Sequence, residues 1–147
     1  MSKIETFLSK ADEAEVVEAI RLAEENTSGE IRVHLEKETS IAPFERAVEV
    51  FHNLKMENTK DHNGVIIYVA IASKQFAIYG GQGIHEKVPA DFWNSTKDVM
   101  LHHFKNGNNK QALVEGILKA GEQLKSYFPH QDDDVNELSN EISKGTL

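Results

Sequence analysis

The sequence predicts an α/β protein, a three-layer α/β/α sandwich around a small mixed sheet of four strands or fewer. Three observations predict it. Helix-period and strand-period stretches follow one another in the order α-β-α-β-β-α-α. One strand, Val65 to Ile71, is apolar on both faces and so needs cover from above and below. The 147 residues, 39 % apolar and 27 % charged, make one domain's worth of protein with enough apolar surface for a compact core.

The elements follow in chain order. Ser9, with Asp12 three residues on, has the form of a capping box that opens a helix running to about Asn26. Val16, Val17, Ile20 and Ala23 make its apolar stripe. Thr27-Ser28-Gly29 ends it. Glu30 to Lys37 then alternates, with Ile31, Val33 and Leu35 on one face and Arg32, His34 and Glu36 on the other, which predicts a half-buried strand. Pro43 suits the first turn of a second helix, carried to about Met56 by Phe44, Ala47, Val48, Phe51 and Leu54. Residues 57–64 are polar and read as a loop.

After the apolar strand, Lys74 to Tyr79 returns as the second arm of an antiparallel hairpin. Gly80-Gly81-Gln82-Gly83 turns the chain. Pro89 is expected to open a third helix that points Phe92, Thr96, Val99, Met100 and Phe104 inward and stops at Asn106-Gly107. Asn108 or Asn109 caps a fourth, with Leu113, Ile117, Ala120 and Leu124 as its stripe, ending near Phe128-Pro129.

Composition bounds the function. Cysteine is absent, which removes disulfide frameworks, thiolate zinc sites and cysteine nucleophiles together. Sixteen Lys and Arg face twenty-four acids, a net charge of −8 that speaks against nucleic acid or anionic lipid as the partner. The excess sits at the two ends. Residues 1–26 carry seven acids and three bases, residues 130–147 five acids and one base, and the stretch between is neutral. The expected organisation is therefore one domain over 1–129 followed by an acidic tail over 130–147. That tail is either a solvated surface or an arm for cations or a basic protein. The longest apolar run, Val65 to Ala72, is too short to span a bilayer. The first residues have no signal-like apolar stretch, so no membrane anchor and a cytoplasmic location are expected.

The order of elements also places chemistry. A β-α-β unit makes the first and central strands parallel, and the hairpin returns beside the central one. Three segments then meet at one rim of the sheet: 28–30, 61–63 and 80–83. Glu30 and Asp61 would bring carboxylates there, Asn63 an amide oxygen, and Gly80 and Gly81 backbone carbonyls. Such an oxygen-rich cluster suits a hard divalent cation, calcium or else magnesium, which takes about six to eight oxygens. The plain alternative is that Asp61 and Asn63 form turns and Glu30 is a surface acid.

Other chemistries fit less well. The glycine loop lacks the Gly-Lys-Ser/Thr ending of a P-loop and the third glycine of a dinucleotide fingerprint, though as an anion nest it could seat a phosphate monoester beside a metal. Asp61 precedes its strand, and residue 63 is Asn, so an aspartyl-phosphate mechanism is rejected and a metal-assisted one survives. His62 and His85 lie in sequence near the rim, where either could exchange protons. The run from Asp132 to Glu137 opens like a calcium loop, but Glu137 and Ser143 stand where an EF-hand needs glycine and glutamate.

Four segments carry a family likeness. Thr-Ser-Gly-Glu-Ile-Arg-Val (27–33), Asn-Gly-Val-Ile-Ile-Tyr-Val-Ala (63–70), Phe-Ala-Ile-Tyr-Gly-Gly-Gln-Gly-Ile (76–84) and Val-Pro-Ala-Asp-Phe-Trp (88–93) resemble the TPM domain family of thylakoid-lumen photosystem II repair factors and bacterial homologues. The likeness runs from about residue 5 to 129, and the stretch 136–143 looks like the tail of a soluble bacterial subgroup. The resemblance implies the α/β/α fold and binding of divalent metal, calcium above all, at the rim just described. For activity it implies either acid phosphatase chemistry or an assembly and repair role with a protein partner. It maps Glu30 onto the Ser-Gly-Glu motif and Asp61 onto the polar position two before Asn-Gly. Gly81 departs from it, because relatives often carry aspartate there, and Ser139 stands where the subgroup often has proline.

Overall fold

A computed structural model describes residues 7–130 and 138–145. Helix α1, Lys10–Glu24, starts at the expected capping box: Asp12 N donates to Ser9 Oγ at 3.0 Å and Asp12 accepts in return from Ser9 N. Strand β1, Glu30–Glu36, leads through α2, Pro43–Asn53, to β2, Gly64–Ala70. A short link turns back into β3, Gln75–Gly80, followed by α3, Gln82–Lys87; α4, Asn94–Lys105; α5, Asn109–Leu124; and β4, Ser143–Lys144.

The sheet has the order β3-β2-β1-β4. β1 and β2 are parallel from Glu30 opposite Gly64 to Glu36 opposite Ala70, as the crossover through α2 requires. β3 runs antiparallel to β2, and β4 adds a parallel pair at His34 and Leu35 of β1. All seven residues of β2 are buried, so the strand lies centrally between two covered faces.

One core packs Ile31, Val33, Leu35, Val65, Ile67 and Ile78 against α1, α4 and α5. The other packs Ile66, Tyr68 and Ala77 against Ala47, Val50 and Phe51 of α2. Gly121 lets α5 close on α1, since a Cβ there would stand 2.8 Å from that of Ala23. Among the described residues no helix is long and apolar enough to cross a membrane.

Three features differ from the expectation. β1 is not half-buried: His34 and Glu36 lie under the second layer, because that layer covers β1 as well as β2. Pro89 opens tight turns rather than a helix, with Phe92 N donating to Pro89 O and Asn94 N to Asp91 O, and α4 begins at Asn94. These turns swing Phe92 inward, where its ring meets Trp93 and Tyr127 edge-on. The third is α3, whose six residues bury Ile84 alone and so carry no periodic signal. Residues 138–145, read from sequence as part of a tail, return to the sheet; the acidic run 132–134 lies outside the described residues.

Candidate functional site

The three rim segments are tied together by backbone. Glu30 N donates to Asn63 O at 3.3 Å, and Asn63 Nδ2 donates to Ser28 Oγ at 3.2 Å. Gly81 N donates to Gly64 O and Gly83 N to His62 O, each at 2.9 Å. The approach is tight enough to require glycine. A Cβ on Gly83 would fall 2.2 Å from Asp61 O, and one on Gly81 2.7 Å from His62 O. His62 itself takes a left-handed φ of 51° at the tip of the 59–62 turn.

The side chains at this rim are spread out. Asp61 is exposed and makes no hydrogen bond or ion pair among the described residues. Asn63 is buried, its amide nitrogen engaged by Ser28. The Gly81 carbonyl accepts from Ile84 N and His85 N and so serves the first turn of α3. Gly80 pairs with Val65 between two hydrogen-bonded pairs of the ladder, so its carbonyl points away from β2. Glu30 is 4 % exposed and lies on the α2 face of the sheet, where its Oε1 accepts from Leu138 N at 2.6 Å. Among the described residues no three His, Cys, Asp or Glu side chains gather closely enough to hold a metal ion.

Glu30 belongs to a second cluster, built by the returning 138–145 segment. Glu24 at the end of α1 accepts from Ile31 N at 3.1 Å, capping the part of β1 that β4 does not reach. Burial, together with the charge of Glu30, pushes the Glu24 carboxyl up to about 7, against hydrogen bonds from Ile31 and Asn140.

Sequence reasoning missed a third group, the buried polar face of β1. Glu36 takes a two-pronged contact from Arg46 of α2, 2.9 Å to Nη2 and 3.0 Å to Nε, and a hydrogen bond from Tyr68 Oη at 2.5 Å. Burial alone would raise its pKa, but these donors hold it below the usual carboxylate range. His34 is fully buried, with Nδ1 2.8 Å from Ser143 Oγ and Nε2 without a hydrogen-bond partner among the described residues, and burial pulls its pKa down to about 4. The group is sealed from solvent, so its chemistry is that of a pin between α2, the sheet and the C-terminal segment. One signal could have found it. A central strand apolar on both faces implies cover on the face that Arg32, His34 and Glu36 share with Ile66 and Tyr68.

The comparisons agree with this architecture. The profile described as TPM domain matches residues 2–123. The NMR structure of BA42 protein from the psychrophilic bacterium Bizionia argentinensis is 59 % identical, with 99 % of this chain and 100 % of that one covered and a TM-score of 0.91. The N-terminal domain of a P. gingivalis protein is 21 % identical over 85 % and 82 % of the two chains, with a TM-score of 0.69. The N-terminal domain of the cg2496 protein from Corynebacterium glutamicum is 11 % identical over 95 % and 80 %, with a TM-score of 0.63, and like the preceding one it shows the fold alone. No curated protein matches.

Proposed function

We propose, on the premise that the chain belongs to the TPM domain family, that it is a divalent-cation-binding module whose ion is calcium, acting in binding or assembly rather than as a free-standing catalyst. The observation that carries this reading is Asp61. Its carboxylate is exposed, is uncommitted among the described residues, and stands on a turn locked to the glycine loop. The donors fit a water-rich site for a hard cation. Asp61 would supply the charge and Gly80 an outward carbonyl, with water completing the shell, an all-oxygen set that suits calcium or magnesium better than zinc or iron, which favour imidazole and thiolate. Glu30, Asn63 and Gly81 support the rim through their hydrogen bonds. The net charge of −8 favours cations near the surface in general.

The test is a calcium titration followed by amide NMR, with thermal unfolding alongside. Shifts are expected at 61–63 and 80–83, with stabilisation of about 2.7 kcal/mol at a hundredfold excess over the dissociation constant. Asp61→Ala should erase both while the protein stays folded. An unmoved spectrum and melting temperature would end the proposal. Turnover of an aryl phosphate, lost in Asp61→Ala, would replace it with the metal-assisted phosphatase reading.

A further inference from the structure

We infer that the outer edge of β3 is a docking site for an extended, carboxylate-bearing segment of another protein, taken up as an added strand. Among the described residues β3 ends the sheet, with β2 on one side only. The bond from Gly81 N to Gly64 O fixes the parity of the ladder. Tyr79 and Ala77 exchange their bonds with β2, while Phe76, Ile78 and Gly80 turn their N–H and C=O groups outward. Soluble proteins usually blunt such an edge with a charge or a proline; Gln75–Gly80 holds neither.

Beside the edge lies a groove of about 830 Å³, lined among others by Ile78, Gly80, Phe44, Trp93, His85 and Lys97. Phe44 is 52 % exposed and rests edge-on against Tyr79, 5.7 Å between ring centres. On the face opposite Phe44, α4 meets the strand through Phe104. Phe104 is 5.3 Å from Phe76, and Leu101, 43 % exposed, shares the stripe of Lys97 and Phe104 at i, i+4 and i+7. Apolar side chains therefore flank both sides of an unpaired strand, the arrangement that strand addition uses for affinity and specificity.

Charge selects the occupant. In a chain of net charge −8, the groove lining contains Lys97 and His85 and no Asp or Glu. Neither basic side chain forms an ion pair among the described residues. A second copy of this edge would bring Lys97 up against its own counterpart, whereas a segment carrying glutamate or a chain end would neutralise it. Phe76 and Gly80 are half-buried whereas Ile78 is 1 % exposed, so docking starts from the two ends of the strand and requires the cover over Ile78 to move aside.

The experiment uses the full chain, 15N-labelled, with a chelator present, so that it stands apart from the cation reading. The probe is a synthetic octapeptide of alternating valine and threonine ending in two glutamates. Expected are shifts and slowed exchange at the amides of Phe76, Ile78 and Gly80. Binding should be lost when alternate peptide amides are N-methylated. Lys97→Glu, at an exposed site, should weaken the glutamate peptide about tenfold and favour one ending in lysines. An unperturbed spectrum, shifts confined to 61–63, equal binding of the N-methylated peptide, or concentration-dependent shifts of these amides without peptide would each overturn the inference.

Discussion

Glu36 shows how much rests on single side chains here. A carboxylate 3 % exposed inside a sheet is tolerable only because Arg46 and Tyr68 donate to it, and Arg46 is itself almost covered. Removing one partner leaves the charge buried and alone. Arg46→Ala should therefore cost about 3–5 kcal/mol in urea unfolding, and Tyr68→Phe, which leaves the ion pair in place, about 1 kcal/mol. A loss near zero for Arg46→Ala would mean that Glu36 reaches water in solution. None of this pairing was legible from spacing. Residues 36 and 46 belong to different elements, and only the crossover of α2 over the sheet brings them together. Asp61 differs in kind: turn chemistry alone placed it on an exposed loop, and the structure keeps it there.

At the level of elements, periodicity was a good guide wherever an element buries a full stripe. α1, α2, α5 and the three long strands all do so. α3 and β4 do not, because six residues with one buried side chain, and two residues in a ladder, leave no repeat to read. β4 nonetheless organises much around it. The 138–145 segment brings Leu138 N to Glu30, Ser143 to His34 and Lys144 to Glu13 of α1. A chain ending at His130 should therefore melt earlier, and its His34 should titrate above 4, back toward the ordinary 6.5, because burial is what holds it down. NMR titration of the His34 ring in both chains reads this directly; an unchanged midpoint would place its burial elsewhere.

For the molecule as a whole, one buried and one half-buried group pull stability in opposite directions with pH. His34, lowered from 6.5 to about 4, is protonated in the unfolded chain but not in the folded one between those values, so stability falls as pH drops through that window. Glu24, raised from 4.5 to about 7, keeps a proton in the folded chain that the unfolded one has released, so stability falls as pH rises through 4.5 to 7. Where the windows overlap, from 4.5 to 6.5, the two slopes nearly cancel. Glu24→Gln should uncover the His34 limb, with urea midpoints climbing from pH 4.5 to 6.5 while the parent's stay nearly level; a level profile in the variant would remove His34 from the account. The same division separates what the chain determines by itself from what folding adds. Local pattern determined the fold class, the strand directions and the meeting of three loops at one rim, because periodicity and chain connectivity are properties of neighbours in sequence. Tertiary structure alone decided that Glu30 turns under the C-terminal segment, that His34 and Glu36 of β1 are sealed and that β3 has a strand neighbour on one side among the described residues. Those outcomes depend on which surfaces cover one another, and that is settled only when distant segments compete for the same face of the sheet.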